Sequence, residues 1–150
     1  MKEDLLVRQI LGRFVPELAP GVVPDYLEPL YARETAVRAA GCLSEISLEI
    51  EAALLRALFA DEEEDVRAAA RRVILDRCAH LRHVVLVSMT QDEDEWVRES
   101  ALDEVGPPAG NPETALLRAK IAALLGHDRD ENIRERAQAI LRANSGEESA

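Results

Sequence analysis

The stretch Asp61-Glu-Glu-Glu-Asp-Val66-Arg67-Ala-Ala-Ala70 decides the fold, because its spacing returns twice more along the chain. An aspartate is followed five residues later by Val or Ile, then by Arg, with Ala four residues beyond the branched residue. The copies are Asp61/Val66/Arg67/Ala70, Asp92/Val97/Arg98/Ala101 and Asp128/Ile133/Arg134/Ala137. A fourth, degenerate copy reads Val37/Arg38/Gly41, with Ala32 where the aspartate would stand. The arginines lie 29, 31 and 36 residues apart, and the last interval is long because Gly106-Pro-Pro-Ala-Gly-Asn-Pro112 sits inside it.

The residues before each aspartate repeat as well. Counting back three, seven and eleven positions gives Leu58, Leu54 and Ile50, then Met89, Val85 and Leu81, then Leu125, Ile121 and Leu117. Apolar residues at that spacing form one stripe of an amphipathic helix. A second stripe follows the aspartate, as in Val66, Ala70 and Val73 or Ile133, Ala137 and Ile140. Each unit is therefore helix, acidic turn, helix. A hairpin of about 30 residues cannot bury both stripes alone, so neighbours must stack and share a core. The pattern predicts an all-α fold, a short α-solenoid of about four helical hairpins. Ala70, Ala101 and Ala137 would let helix axes approach to roughly 8–10 Å.

Helices are expected near 2–14, 25–32, 35–46, 48–60, 65–79, 80–90, 94–105, 112–125 and 130–143. Asn111 and Pro112 read as an N-cap and first helical position that restart the chain after the Pro-Gly break. The expected organisation is one domain. It has an N-terminal capping helix and linker over 1–24, a degenerate repeat over 25–46, repeats over 48–79, 80–105 and 112–143, and a fraying tail over 144–150.

Composition supports this class. Apolar residues make up 47% of the 150, yet aromatic residues only 3%, so the apolar mass is aliphatic and suits closely packed helices. The net charge of -11 disfavours a phosphate-backbone binder, which needs Lys and Arg to displace counterions. No apolar run approaches the roughly 18 residues of a membrane span. Lys2, Glu3, Asp4, Arg8 and Arg13 interrupt the N-terminal stretch, which reads as an amphipathic helix rather than a secretion signal. Cys42 and Cys78 lie far apart with no paired motif, the usage of a reduced, cytoplasmic protein.

The Asp-x5-Arg spacing, the Val or Ile before each Arg and the Ala after it resemble the HEAT-like repeat family, including its phycobilisome-lyase type. The likeness covers 48–143 well and 25–46 poorly. It implies a right-handed superhelix that scaffolds protein–protein contacts, with a few enzymatic branches. It also implies that Asp61, Asp92, Asp128, Arg67, Arg98 and Arg134 form an inter-repeat ladder at the turns, a role to which the arginine fork is suited.

Two surfaces are candidates for binding a partner. The three acidic turns carry -5 over 61–65, -4 over 92–95 and -2 over 128–131, together the whole net charge. Acids at helix N-termini serve capping and solubility, but Glu62, Glu63, Glu64, Glu93 and Asp94 exceed one cap per helix and could receive a basic partner. Trp96, the single tryptophan, lies at the border of the apolar stripe and is either core packing or an exposed interface anchor. The second surface is the stripe opposite the branched residues, which lines the inner face in solenoids of this type. It would present Arg71, Arg72 and Leu75, then Glu99, Leu102 and Asp103, a mixed surface suited to a protein contact.

Catalytic patterns are missing. The di-iron hydroxylases built on HEAT-like repeats use His-Glu dipeptides, and His80, His83 and His127 are not followed by Glu. The related DNA glycosylases need a cationic groove. His80 and His83 share a helix face, but with Cys78 they make only three candidate ligands and Cys78 precedes the expected helix junction, which disfavours a metal. Phosphate loops and nucleophile elbows are absent from the sequence. The expectation is a non-catalytic scaffold or adaptor without metal or cofactor that binds another protein, including an inhibitor or immunity protein for a basic partner. The alternative is a lyase-type enzyme or enzyme subunit acting on a protein-bound cofactor.

Overall fold

The computed structural model describes residues 29–105 and 111–145, and every regular element among them is helical. The chain divides into two compact units, Met1–Arg82 and His83–Ala150. The predicted helix at 2–14, the linker up to residue 24 and the tail from 146 onward lie outside the described residues.

The first unit holds α1 (Pro29–Gly41), α2 (Leu48–Ala60), α3 (Glu64–Arg77) and a single 3-10 turn, Ala79–Leu81. Two separate helices were expected over 25–46, but α1 runs without a break from residue 29 and stops at Gly41. Glu34, at the expected junction, pairs with Arg38 one turn on at 2.7 Å. After Gly41 the backbone tightens, with Cys42 N–H donating to Ala39 O and Leu43 N–H to Ala40 O. Only glycine suits position 41, since a Cβ there would lie 2.9 Å from Val73 Cγ2. α2 begins at Ser47, whose hydroxyl accepts from Ile50 N–H at 3.2 Å.

α3 packs on both α1 and α2. The core of this unit is aliphatic: Ala36, Val37, Ala40, Ile50, Leu54, Val66, Ala70 and Ile74 are fully enclosed. The helix expected to run to residue 79 ends at Arg77, because Cys78 leaves the helical region (φ -122°, ψ 72°) and the 3-10 turn follows.

The second unit holds α4 (Arg82–Met89, which starts on the last residue of the first unit), α5 (Glu95–Val105), α6 (Pro112–Leu125) and α7 (Glu131–Ser145). α6 starts on Asn111, whose side chain accepts from Glu113 N–H at 2.9 Å with Pro112 in the first turn. α6 packs on both α5 and α7. Val85, Leu86, Ala101, Ile121, Ala122, Leu125, Ile133 and Ala137 form its core. A hydrogen bond of 2.9 Å between Lys120 Nζ and His83 Nε2 ties α6 to α4. No described helix is long and apolar enough to cross a membrane.

Candidate functional site

Each repeated aspartate makes the same two contacts. Its Oδ1 accepts from the backbone N–H two residues on: Glu63 to Asp61 at 2.9 Å, Asp94 to Asp92 at 2.9 Å and Asp130 to Asp128 at 2.8 Å. These are Asx turns, in which a short carboxylate mimics a backbone turn. The arginine six residues on then donates Nη1 to the aspartate's own carbonyl, with distances of 2.7 Å for Arg67, 2.9 Å for Arg98 and 2.8 Å for Arg134. The repeated spacing thus stitches each turn to the helix that follows it.

The other edge of the guanidinium differs among the arginines. Arg98 forks onto Asp128 through Nε at 2.8 Å and Nη2 at 3.2 Å, reaching from one turn to the next. Both side chains are nearly sealed from water, at 6% and 5% exposure. Burial alone would raise the Asp128 pKa, but the Arg98 hydrogen bond, the Asp130 N–H and the charges of Arg98 and Arg129 outweigh it and hold the carboxyl below its usual range. The bond to Asp128 raises Arg98 in turn, against burial.

In the first unit the partner of Asp61 is Arg33, through Nε at 2.9 Å and Nη2 at 3.3 Å, and not Arg38 of the expected degenerate copy. Arg38 is exposed and pairs with Glu34. Arg67 turns its Nη2 to Glu64 in its own turn at 2.6 Å.

Two residues expected on the open inner stripe are not exposed. Leu75 and Leu102 are buried, at 7% and 3% exposure. Placing them opposite the branched residues assumed one packing partner per helix. α3 instead lies against both α1 and α2, and the buried arc of α5 likewise widens from Val97 and Ala101 to Leu102 and Val105. The polar residues of that face are engaged within the protein. Arg136 of α7 binds Glu99 at 3.1 Å and Asp103 at 2.7 Å, and these bonds raise its own pKa, Asp103 contributing most. Arg72 pairs with Asp76 at 2.8 Å, and Arg71 lies 3.7 Å from Glu64.

The acidic turns are different. Asp94 and Asp130 cap α5 and α7, accepting from Trp96 N–H at 2.9 Å and Ile133 N–H at 3.0 Å. Glu63 holds the equivalent place before α3 without a side-chain cap. Once the turn, cap and Arg67 contacts are assigned, the carboxylates of Glu62, Glu63, Asp65 and Glu93 make no hydrogen bond or ion pair among the described residues. Trp96, at 70% exposure, is not part of the core and stands in solvent at the start of α5, directly after Asp92, Glu93, Asp94 and Glu95. Beside this turn an open pocket of about 300 Å3 is lined by Thr90, Gln91, Glu93, Leu124 and Arg129 among others, and Arg129 closes onto Glu93 O at 2.8 Å.

Of the residues considered for a metal, His80 and Cys78 share Glu51 while His83 goes elsewhere. His83 meets Lys120, while His80 pairs with Glu51. Cys78 is buried beside the same Glu51, and burial first, then that carboxylate, push its thiol above the ordinary value, which disfavours the reactive thiolate. Among the described residues no group of three His, Cys, Asp or Glu is arranged to hold a metal ion. No protein-family model, curated protein or solved structure matches the chain.

Proposed function

We propose that this protein is a non-catalytic protein-binding module of the HEAT-like α-solenoid type, and that its acidic turns and Trp96 receive a basic protein partner. The recurrence of one Asx turn and one arginine-to-carbonyl bond at Asp61, Asp92 and Asp128 supports the repeat reading. The observation that carries the binding reading is Trp96, 70% exposed in a turn whose Glu93 carboxylate the fold does not use. A solvated indole is a costly surface feature with no internal role, and Trp is enriched at the energetic centres of interfaces. Surplus negative charge around it accelerates encounter with a basic partner and sets specificity more than affinity. Neutralising a basic, nucleic-acid-acting protein would be one use of such a surface. The two free cysteines, one exposed and one buried, suit a reducing, cytoplasmic setting.

The test is retention of a partner from source lysate at low and moderate salt, comparing the natural chain with Glu62→Lys/Glu93→Lys. Neither substituted side chain makes an internal bond among the described residues, so the fold should survive, as circular dichroism will check. A stoichiometric basic protein released by salt and lost in the variant is the expected result. Retention indifferent to both salt and charge reversal would refute the reading.

A further inference from the structure

We propose that the free edge of the Arg134 guanidinium is a docking site for an aspartate or glutamate side chain on a partner protein's helical turn. The inference rests on what the equivalent arginines do, and stands whether or not the acidic turns bind anything. Arg98 donates Nη1 to the carbonyl of its own Asp92 and directs Nε and Nη2 at Asp128, the first residue of the next turn. Arg33 grips Asp61 with the same two nitrogens. In both cases the fork holds the aspartate of an Asx turn that leads into a helix. Bidentate geometry of this kind is specific to planar oxyanions and unavailable to Lys.

Arg134 lies 36 residues after Arg98, as Asp128 lies 36 after Asp92, and donates Nη1 to Asp128 O at 2.8 Å. Its Nε and Nη2, the edge that clamps a carboxylate in the other two, meet none among the described residues. Nor is the fork quenched from within its own turn. Arg67 shows how that would look, with Nη2 on Glu64. The counterpart of Glu64 in the last turn is Glu131, which is exposed and makes no bond to Arg134. Two turns further along α7 the apolar surface is also less covered. Val105 of α5 is buried at 6%, whereas its counterpart Leu141 in α7 is only half-buried. The α6–α7 hairpin therefore offers a guanidinium fork of the kind that Arg98 uses to hold the hairpin after it.

The probe is N-acetyl-aspartate amide, titrated into the intact 15N-labelled protein while the arginine Nε–H and backbone amide signals are followed. Arg134 Nε–H and the amides of 128–135 should shift saturably in the millimolar range, with Arg98 and Arg33 Nε–H unmoved. Arg134→Lys keeps one donor for Asp128 O but loses the fork, and should weaken binding at least tenfold. Glu131→Gln should leave binding intact or tighten it. Linear shifts equal to those produced by sodium chloride, or saturable shifts that persist in Arg134→Lys, would overturn the assignment. Sedimentation of the protein without the probe adds a further arm. Dimerisation abolished by Arg134→Lys would mean that a second copy fills the fork, and would overturn the assignment to a foreign partner.

Discussion

The Arg98 guanidinium holds the Asp128 carboxylate in a two-bonded fork, at 2.8 and 3.2 Å, with both side chains almost entirely withdrawn from water. A buried pair of this kind adds little net stability over an apolar pair of similar shape, because the cost of dehydrating two charges offsets their attraction. Removing one partner is a different matter, since it strands the other charge. Asp128→Ala is expected to destabilise the protein by about 3–5 kcal/mol, and Arg98→Met/Asp128→Leu to recover most of that loss. Urea denaturation of the natural protein and the two variants checks this, and a double variant no more stable than Asp128→Ala would count against it.

The same pair makes stability depend on pH. The Asp128 carboxyl is held below its ordinary value in the folded protein, so the unfolded chain binds its proton more readily. Its contribution is therefore complete above the unfolded value of about 3.9 and is lost as pH falls through the lowered folded value. The urea midpoint of the natural protein should drop steeply below roughly pH 4. Asp128→Asn should be less stable at neutral pH and show a shallower fall across that acid window.

Core and surface should respond oppositely to truncation. Leu54 is fully enclosed in the first unit, so Leu54→Ala is expected to cost about 2–5 kcal/mol through lost burial and a residual cavity. Phe59, on the same helix, is 56% exposed, and Phe59→Ser should shift stability by no more than about 0.5 kcal/mol. Equal effects of the two on the thermal midpoint would mean that α2 presents a different face.

Gly41 is set by close approach rather than by a special backbone angle. A Cβ at that position meets Val73 Cγ2 at 2.9 Å, so Gly41→Ala should cost about 1–3 kcal/mol by overpacking. Val73→Ala in the same chain should relieve part of it. Thermal melts of the single and double variants read the coupling between the two positions.

How much of this was written in the sequence depends on whether one helix alone determines the outcome. The starts of α2 and α6 follow from local chemistry, since Ser47 and the pair Asn111-Pro112 carry their own caps. The Asp-x5-Arg spacing maps directly onto hydrogen bonds, because a turn and the helix after it are contiguous in the chain. Arg33 was missed because Val37-Arg38 also satisfies a branched residue followed by Arg. The better signal was Ala three residues after Arg, shared by Arg67/Ala70, Arg98/Ala101 and Arg134/Ala137, which selects Arg33/Ala36. Burial of Leu75 and Leu102 was not legible, because a helical wheel gives an angle but not the number of neighbours that close around it. Nor could sequence separate the carboxylates that serve turns and caps, Asp92, Asp94 and Asp130, from those left over, Glu62, Glu63 and Glu93. That distinction lies in atomic contacts.

Trp96 offers the most direct reading of the central claim, because the chain contains no other tryptophan. The measurement is its fluorescence emission during titration of the natural protein with the partner retained from lysate, repeated over a series of salt concentrations. The account expects a saturable blue shift, an affinity that falls as salt rises, and a weaker salt dependence in Glu62→Lys/Glu93→Lys. Saturable binding that leaves Trp96 emission and salt dependence untouched would contradict it and place the interface elsewhere on the protein.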